Sequence, residues 1–311
     1  MKVAFLFPGQ GARNVLAGAE LARSLPDGAK LLALATTVDV EARGGRALER
    51  TEVLQPVLAA ISLSIHRALL RAGVVPSVLL GHSLGEVPAL AAAGVISDEA
   101  AVKLASLRGS LMAREAAKHP GGLVAFSSLE AATAALSPRE RVGEGPSTSL
   151  GLNGLGQFRS RRADSRLHLQ LAAINAPDEV VVSGPDEALA GIGGVRVPVS
   201  GAWHSDAMAG AVDEFRAALH ALEVHDAKVP LIRNLDGALG HSLDALADQL
   251  TKPVHFTAAL ATAVAQGIDT IITVGPGAVL RGLVRKNLGT SVRVLTTENS
   301  SDFERTVQAL V

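Results

Sequence analysis

Several chemistries are missing from this 311-residue sequence. It has no cysteine, so disulfide bonds, a thiol nucleophile and cysteine metal sites are excluded. Its nine histidines are scattered without the H-x-x-x-H spacing of zinc sites, and we expect no metal. Basic and acidic residues nearly balance at a net charge of −1, which argues against a nucleic-acid partner.

Long apolar runs are missing too. No uninterrupted apolar stretch approaches the ~18 residues of a membrane-spanning helix. The apolar start at residues 3–7 ends at Pro8 and Gly9, too early for a signal peptide. The composition, 48% hydrophobic and 19% charged, is that of a globular enzyme. We therefore expect a cytoplasmic protein without membrane contact, long enough for one large domain or two.

What is present is an alternation of strand-length apolar runs with alanine- and leucine-rich helical stretches. This pattern is typical of an α/β protein with a mostly parallel sheet. It predicts strands at residues 3–7, 78–81 and 270–274. It predicts helices at residues 15–22, 53–72, 98–117, 208–222, 243–250, 257–266 and 279–286.

The middle of the chain has a different order. Strands are predicted at residues 122–128, 167–176, 179–183 and 195–200, and helices at 129–136 and 186–190. This βαββαβ order is that of a ferredoxin-like unit. We predict a small subdomain, residues 122–201, inserted into a large one made of residues 1–121 and 202–311. Residues 138–166, rich in Gly, Ser and Arg, have the composition of a surface loop.

A serine between two glycines carries the clearest chemical signal. The segment Gly81-His82-Ser83-Leu84-Gly85 follows the apolar run 74–80 and precedes a helix-prone stretch. This is the context of a G-x-S-x-G nucleophile elbow, whose glycines permit a tight turn that exposes the hydroxyl. The following helix aims N–H groups and the positive end of its dipole at that point. We predict that Ser83 is a nucleophile.

A serine hydroxyl needs a base to take its proton. His204 is the best candidate, because it lies at a strand end where the small subdomain returns to the large one. His82 neighbours Ser83 along the backbone and should point away from it. Other histidines fall in or beside helical stretches: His66, His119, His220 and His225. A purely structural role for His204 stays open on spacing alone.

Two further features bear on catalysis. The glycine-flanked turn Gly9-Gln10-Gly11 after the first strand could present an N–H group which, with that of Leu84, would form an oxyanion hole. A simple strand-to-helix connection is the alternative. Arg108 lies in an otherwise apolar helix, and a buried guanidinium needs an anion. That anion is either a substrate carboxylate or an internal Asp or Glu.

Together these segments resemble the malonyl-CoA:acyl carrier protein transacylase family, which includes acyltransferase domains of fatty acid and polyketide synthases. The similarity runs nearly end to end. Besides the turn and the elbow, it is carried by Leu107-Arg108-Gly109, Ile174-Asn175-Ala176-Pro177, Trp203-His204-Ser205, Asn234-Leu235-Asp236-Gly237, Gln249-Leu250-Thr251-Lys252-Pro253-Val254 and Val274-Gly275-Pro276-Gly277.

The resemblance implies a fold and a reaction. The fold is an α/β-hydrolase-like large subdomain with a ferredoxin-like insertion. The reaction moves a malonyl group from malonyl-CoA to the phosphopantetheine thiol of an acyl carrier protein through a Ser83 acyl-enzyme. His204 acts as base, oriented by a main-chain carbonyl in the Gln249 region. The implied partners are malonyl-CoA and the carrier protein, with no cofactor and a monomeric chain.

The resemblance also implies the binding groups. Backbone N–H groups of Gln10 and Leu84 would hold the oxyanion, and Arg108 would bind the malonyl carboxylate. The remaining substrate-binding residues would be Trp203, Gln249 and Asn175.

Three departures from the family pattern concern substrate and partner. Gly9-Gln10-Gly11-Ala12-Arg13 replaces the usual G-Q-G-S-Q, and Trp203 stands where malonyl-specific members most often have Phe. The loop 138–166 is long and carries four arginines proposed to dock the carrier protein: Arg159, Arg161, Arg162 and Arg166. We expect a stand-alone enzyme serving polyketide or fatty acid synthesis in trans.

Two alternatives stay open. One is an editing hydrolase that clears acyl groups from carrier proteins, although a hydrolase of monocarboxylic chains has no use for the cation of Arg108. The other is a degenerate docking module, which the presence of both Ser83 and His204 disfavours.

Overall fold

The computed structural model describes residues 1–35, 46–136 and 168–311, and the four arginines proposed to dock the carrier protein lie outside them. In this part of the chain the strands are β1 (Val3–Phe7), β2 (Val78–Gly81), β3 (Gly121–Phe126), β4 (Gln170–Ala176), β5 (Glu179–Pro185), β6 (Val195–Arg196), β7 (Leu231–Ile232), β8 (Thr270–Thr273) and β9 (Arg293–Thr296). The helices are α1 (Val15–Ser24), α2 (Gly28–Ala35), α3 (Thr51–Arg71), α4 (Glu86–Ala92), α5 (Asp98–Lys118), α6 (Leu129–Leu136), α7 (Asp186–Leu189), α8 (Ala209–His220), α9 (Leu243–Asp248), α10 (Phe256–Ala265), α11 (Ala278–Leu288) and α12 (Ser300–Gln308).

The larger sheet is parallel throughout, in the order β7-β2-β1-β8-β9. Alternation along β1 sends Phe5 and Phe7 into one core cluster, with residues of α3 and α5, and Ala4 and Leu6 into a second, with residues of α10 and α11. Helices therefore cover both faces, as a parallel sheet requires. The predicted α/β class with a parallel sheet is confirmed.

The smaller sheet is antiparallel, in the order β4-β5-β3-β6. Numbered along the chain from β3, its strands lie second, third, first and fourth, with α6 and α7 as the two helices, which confirms the ferredoxin-like order. One face packs against these helices, while Ala172, Ala173 and Val181 on the other face join the core around α10 and α11. The small sheet is thereby fixed beside the carboxyl ends of the parallel strands.

Two features depart from the simplest sequence reading. The last small-sheet strand was predicted over residues 195–200 but ends at Arg196. Val197 still donates to the Leu123 carbonyl oxygen at 2.9 Å, whereas Pro198 has no N–H to continue the ladder.

In addition, α3 is long and apolar enough to cross a membrane by length and composition. Since 89% of its apolar window is buried within the fold, it is a core helix.

Candidate active site

The Gly-His-Ser-Leu-Gly segment forms a sharp turn between β2 and α4. Ser83 has a left-handed backbone with φ of 53°, which is uncommon outside glycine. A side chain on Gly81 would overlap the backbone of Gly85, and one on Gly85 would overlap the carbonyl of Phe7. Only glycine fits at these two positions. The turn leaves Ser83 partly exposed in a cleft between the two sheets.

His204 meets Ser83 across this cleft. The Ser83 Oγ lies 2.8 Å from His204 Nε2, and His204 Nδ1 lies 2.8 Å from the backbone oxygen of Gln249. A carbonyl oxygen only accepts, so Nδ1 carries the proton and Nε2 is free to accept from the serine hydroxyl. Burial, followed by the Arg108 charge, lowers the pKa of His204 to about 3. The imidazole is therefore neutral and able to act as a base near pH 7.

Arg108 lies directly beneath the serine and is 1% exposed. Its Nη2 donates to Ser83 Oγ at 3.2 Å and to the Gln249 side-chain oxygen at 3.0 Å, and its Nη1 donates to Gln55 Oε1 at 2.9 Å. Its Nε has no partner among the described residues. Burial lowers the pKa of Arg108 to about 10, partly offset by the negative charge of Glu86, so the group stays cationic.

Two alternatives for Arg108 were open from the sequence, an internal salt bridge or a substrate anion. Within residues 1–35, 46–136 and 168–311, no carboxylate lies within 4.0 Å of the guanidinium. Its acceptors are two amide oxygens and a hydroxyl. The cation is thus hydrogen-bonded but not neutralised by direct contact, and its Nη2 lies 3.2 Å from the Ser83 hydroxyl oxygen.

A buried carboxylate lies behind these groups. Glu86 Oε2 accepts from the Asn234 backbone N–H at 3.0 Å and from Gln249 Nε2 at 2.8 Å. The Asn234 side chain accepts from the Ser83 N–H at 2.6 Å and donates to the Gly81 oxygen at 2.8 Å. Burial raises the pKa of Glu86 to about 7 against these hydrogen bonds and the Arg108 charge.

Sequence reasoning assigned no role to Glu86 or Asn234. The available signal was a single carboxylate in the otherwise apolar helix α4, where burial demands partners. Its partners are separated from it by 148 and 163 residues, so no local sequence pattern indicates them.

The other predicted site residues differ in how deeply they are buried. Gln10 lines the cleft, and its side chain accepts from Thr51 Oγ1 at 2.8 Å. Trp203 also lines it and is 3% exposed. Gln249 and Leu84 are buried behind the cleft wall at 0% and 1% exposure.

Asn175 lines the cleft, and both polar atoms of its side chain have hydrogen-bond partners within the protein. Its Oδ1 lies 2.8 Å from His82 Nε2, and its Nδ2 donates to Glu179 Oε1 at 3.2 Å. His82 therefore faces away from Ser83, as its position along the backbone predicts.

The cleft has a volume of about 170 Å3 and mostly apolar walls. One wall comes from α11 and the segment after β8, the other from the small sheet, with Leu123, Ala173, Val181, Val279 and Leu283 among the lining residues. Among the described residues, no group of three or more His, Asp or Glu side chains is arranged to hold a metal ion.

Comparison with known proteins assigns the family. The acyl transferase domain model matches residues 4–143. A malonyl CoA-acyl carrier protein transacylase of Staphylococcus aureus is 31% identical over 97% of this chain and 97% of its own length. The chain belongs to the malonyl-CoA:acyl carrier protein transacylase family. It is therefore an acyltransferase by family, and the resemblance predicted from the sequence is confirmed.

Solved transacylase structures agree. The malonyl-CoA:acyl carrier protein transacylase of Xanthomonas oryzae superposes with a TM-score of 0.81, at 28% identity over 99% of both chains. A malonyl transacylase solved in complex with its type II polyketide synthase acyl carrier protein superposes at 0.78, with 26% identity over 99% of this chain and 100% of that one. The transacylase fold therefore spans the chain.

Proposed function

We propose that this protein transfers a malonyl group from malonyl-CoA to the phosphopantetheine thiol of an acyl carrier protein, through an ester on Ser83. The relatives' names and the carrier-bound relative support both partners. We further propose that it acts in trans, as a cytoplasmic monomer without a cofactor.

In the first half-reaction, Ser83 Oγ attacks the thioester carbonyl while its proton moves to His204 Nε2, 2.8 Å away. The carbonyl π electrons move onto the oxygen. When they return, the carbon–sulfur bond breaks and the CoA sulfur takes the proton from His204. In the second half-reaction, the carrier thiol gives its proton to His204 and its sulfur attacks the ester. Ser83 then leaves and regains a proton.

The oxyanion is proposed to be held by the backbone N–H groups of Leu84 and Gln10. Leu84 is the residue after the nucleophile in the elbow, and Gln10 follows β1 at the cleft wall. The Thr51 hydrogen bond fixes the Gln10 side chain and so supports its backbone position.

One observation carries the choice of a malonyl group. Arg108 Nη2 is 3.2 Å from the nucleophilic oxygen, and the cation lacks a carboxylate partner in the described part of the chain. A malonyl ester on Ser83 places its free carboxylate two carbons beyond that oxygen, within reach of the guanidinium fork. A monocarboxylic acyl group has no free carboxylate, so it would leave the buried Arg108 guanidinium without an anionic partner.

Three further residues are proposed to shape substrate binding. The buried ring of Trp203 at the cleft wall should crowd an α-methyl branch, as a bulky residue before the base is expected to do. Gln249 is buried behind the cleft wall and contributes indirectly, because its side-chain oxygen binds Arg108 and its backbone oxygen binds His204. Asn175, fixed by His82 and Glu179, is proposed to face the substrate chain in the cleft.

We also propose that residues 122–201 form the small subdomain and that residues 1–121 and 202–311 form the large one. The N–H of Gly201 donates to the Gly121 oxygen at 3.1 Å, so the two ends of the proposed insertion lie together. Such closely spaced ends are typical of an inserted domain.

The test is intact-mass analysis after incubation with malonyl-, methylmalonyl- or acetyl-CoA, with Ser83→Ala as the control. We expect a malonyl adduct on the wild type that transfers to a carrier protein, and no adduct on Ser83→Ala. An adduct that is lost to water at the same rate with and without carrier would instead indicate an editing hydrolase. A wild-type-like adduct on Ser83→Ala would contradict the assignment of the nucleophile.

A further inference from the structure

Glu86 contacts two distant segments of the site with a single oxygen atom. Oε2 accepts from the Asn234 N–H and from Gln249 Nε2, and the side chain is 4% exposed. Both partners contact groups assigned to the reaction. Asn234 accepts from the N–H of Ser83, and Gln249 contacts Arg108 with its side chain and His204 with its backbone.

The orientation of the Gln249 amide depends on this contact. A carboxylate oxygen can only accept, so it requires the NH2 end of the amide to face Glu86. The oxygen end must then face Arg108, where it accepts from Nη2 at 3.0 Å. A flipped amide would place its NH2 group against the guanidinium and leave two donors opposed in a buried site.

The same carboxylate supports the strained elbow. Ser83 is held at φ of 53°, and its N–H is bound by Asn234, whose own N–H is bound by Glu86. Such backbone strain persists only where the surroundings determine the conformation. Losing the Glu86 contact would free the segment that holds the serine amide.

We propose that Glu86 is a positioning residue. The location of its acceptor oxygen, at the end of a side chain of this length, holds both the nucleophile turn and the side chain of Arg108 in place. The selectivity part of this inference rests on the proposed malonyl transfer. The alternative role is charge balance, in which Glu86 serves only as the counter-charge of the buried guanidinium.

Two conservative variants separate these roles. Glu86→Gln keeps an acceptor oxygen at the same distance, able to serve both contacts, and loses the charge. Glu86→Asp keeps the charge and withdraws the oxygen by one methylene. Positioning predicts that Gln is tolerated and Asp is not, whereas charge balance predicts the reverse order. Glu115, another buried glutamate, with Arg114 and Lys118 as its partners, supplies Glu115→Asp and Glu115→Gln as matched controls.

The experiment measures single-turnover acylation with malonyl-CoA and acetyl-CoA, and Ser83 modification by phenylmethylsulfonyl fluoride, a neutral reagent that needs no acyl-CoA. For Glu86→Asp we expect sulfonylation to slow by ~10-fold or more and the malonyl-to-acetyl rate ratio to fall by ~10-fold or more, because displacements near 1 Å cost rates of this order. For Glu86→Gln and both Glu115 variants we expect each value within ~3-fold of wild type.

Two outcomes would overturn the inference: a Glu86→Asp enzyme that behaves as wild type, or a Glu86→Gln enzyme that loses as much as Glu86→Asp. Failure of the proposed function is distinguishable, because it would appear as a wild type that takes no malonyl group. The sulfonylation order of the two Glu86 variants would still test the positioning role in that case.

Discussion

Replacing Arg108 with alanine should reverse the acyl preference of the enzyme. The guanidinium is 1% exposed and its acceptors in the described structure are neutral, so a substrate carboxylate would be its first direct anionic partner. Truncating one partner of a buried, hydrogen-bonded charge pair costs about 2–5 kcal/mol. At 1.4 kcal/mol per factor of ten, malonyl transfer should fall about 30- to 4,000-fold.

A second cost falls on every acyl group equally. Alanine would leave the oxygens of Gln55 and Gln249 without the guanidinium donors and would open a cavity beneath Ser83. The informative quantity is therefore the ratio of malonyl to acetyl rates, not either rate alone. Arg108→Met fills most of the volume without a charge and should lower the ratio as alanine does. Arg108→Lys keeps a cation without the planar fork and should lie between alanine and wild type.

The assay is rapid quenching followed by intact-mass measurement of the Ser83 adduct, with each acyl-CoA in separate reactions. We expect malonyl loading on Arg108→Ala to fall much further than acetyl loading, because only the malonyl group loses a charged partner, so the malonyl-to-acetyl ratio drops. Equal falls for malonyl and acetyl groups would refute the reasoning and make Arg108 a structural residue.

Three other outcomes are expected. Because burial lowers the pKa of His204 to about 3, this base is protonated only in strong acid, so kcat/KM for malonyl-CoA should hold down to pH 5.5. A midpoint near pH 6.5 that persists in Glu86→Gln, which removes the other site group with a pKa near neutral pH, would mean an unperturbed base. Gly85→Ala forces a Cβ onto the Phe7 carbonyl and should slow acylation by ~100-fold or more, with the melting temperature of the variant measured alongside as a check on folding. Acylation at the wild-type rate would contradict the tight-turn argument. Neutralising the clustered arginines Arg159, Arg161, Arg162 and Arg166 should leave self-malonylation intact and slow transfer to the carrier protein, most at low ionic strength. Unchanged transfer would assign these four residues no docking role.

Much of the fold was predictable because its apolar runs are distinct. The strands β1 and β2 have the predicted bounds, and the small sheet has the predicted order. The prediction missed β7 and β9, which are two and four residues long, because such short edge strands carry little periodicity. It also missed α12, although Asn299 caps that helix by accepting from the Asp302 N–H, a signal present in the sequence.

Some residues of the candidate site were likewise predictable from the sequence, and others were not. Ser83 was predictable because its turn has a local signature, and the structure places His204 beside it at 2.8 Å. Arg108 was ambiguous, since a sequence cannot tell an internal carboxylate from two glutamines as partners. Glu86 and Asn234 became visible only when the fold brought α4 together with the segment after β7.

The choice of amides around Arg108 has a physical reason. A carboxylate in direct contact would neutralise the guanidinium and compete with the acyl carboxylate for the same fork. Amide oxygens from Gln55 and Gln249 satisfy its donors without cancelling its charge, and the Glu86 carboxylate reaches it only through Gln249. Burying a cation in this way costs stability. A malonyl carboxylate can recover that cost when it binds, so the same arrangement that weakens the fold makes the site selective for an acyl group that carries its own negative charge.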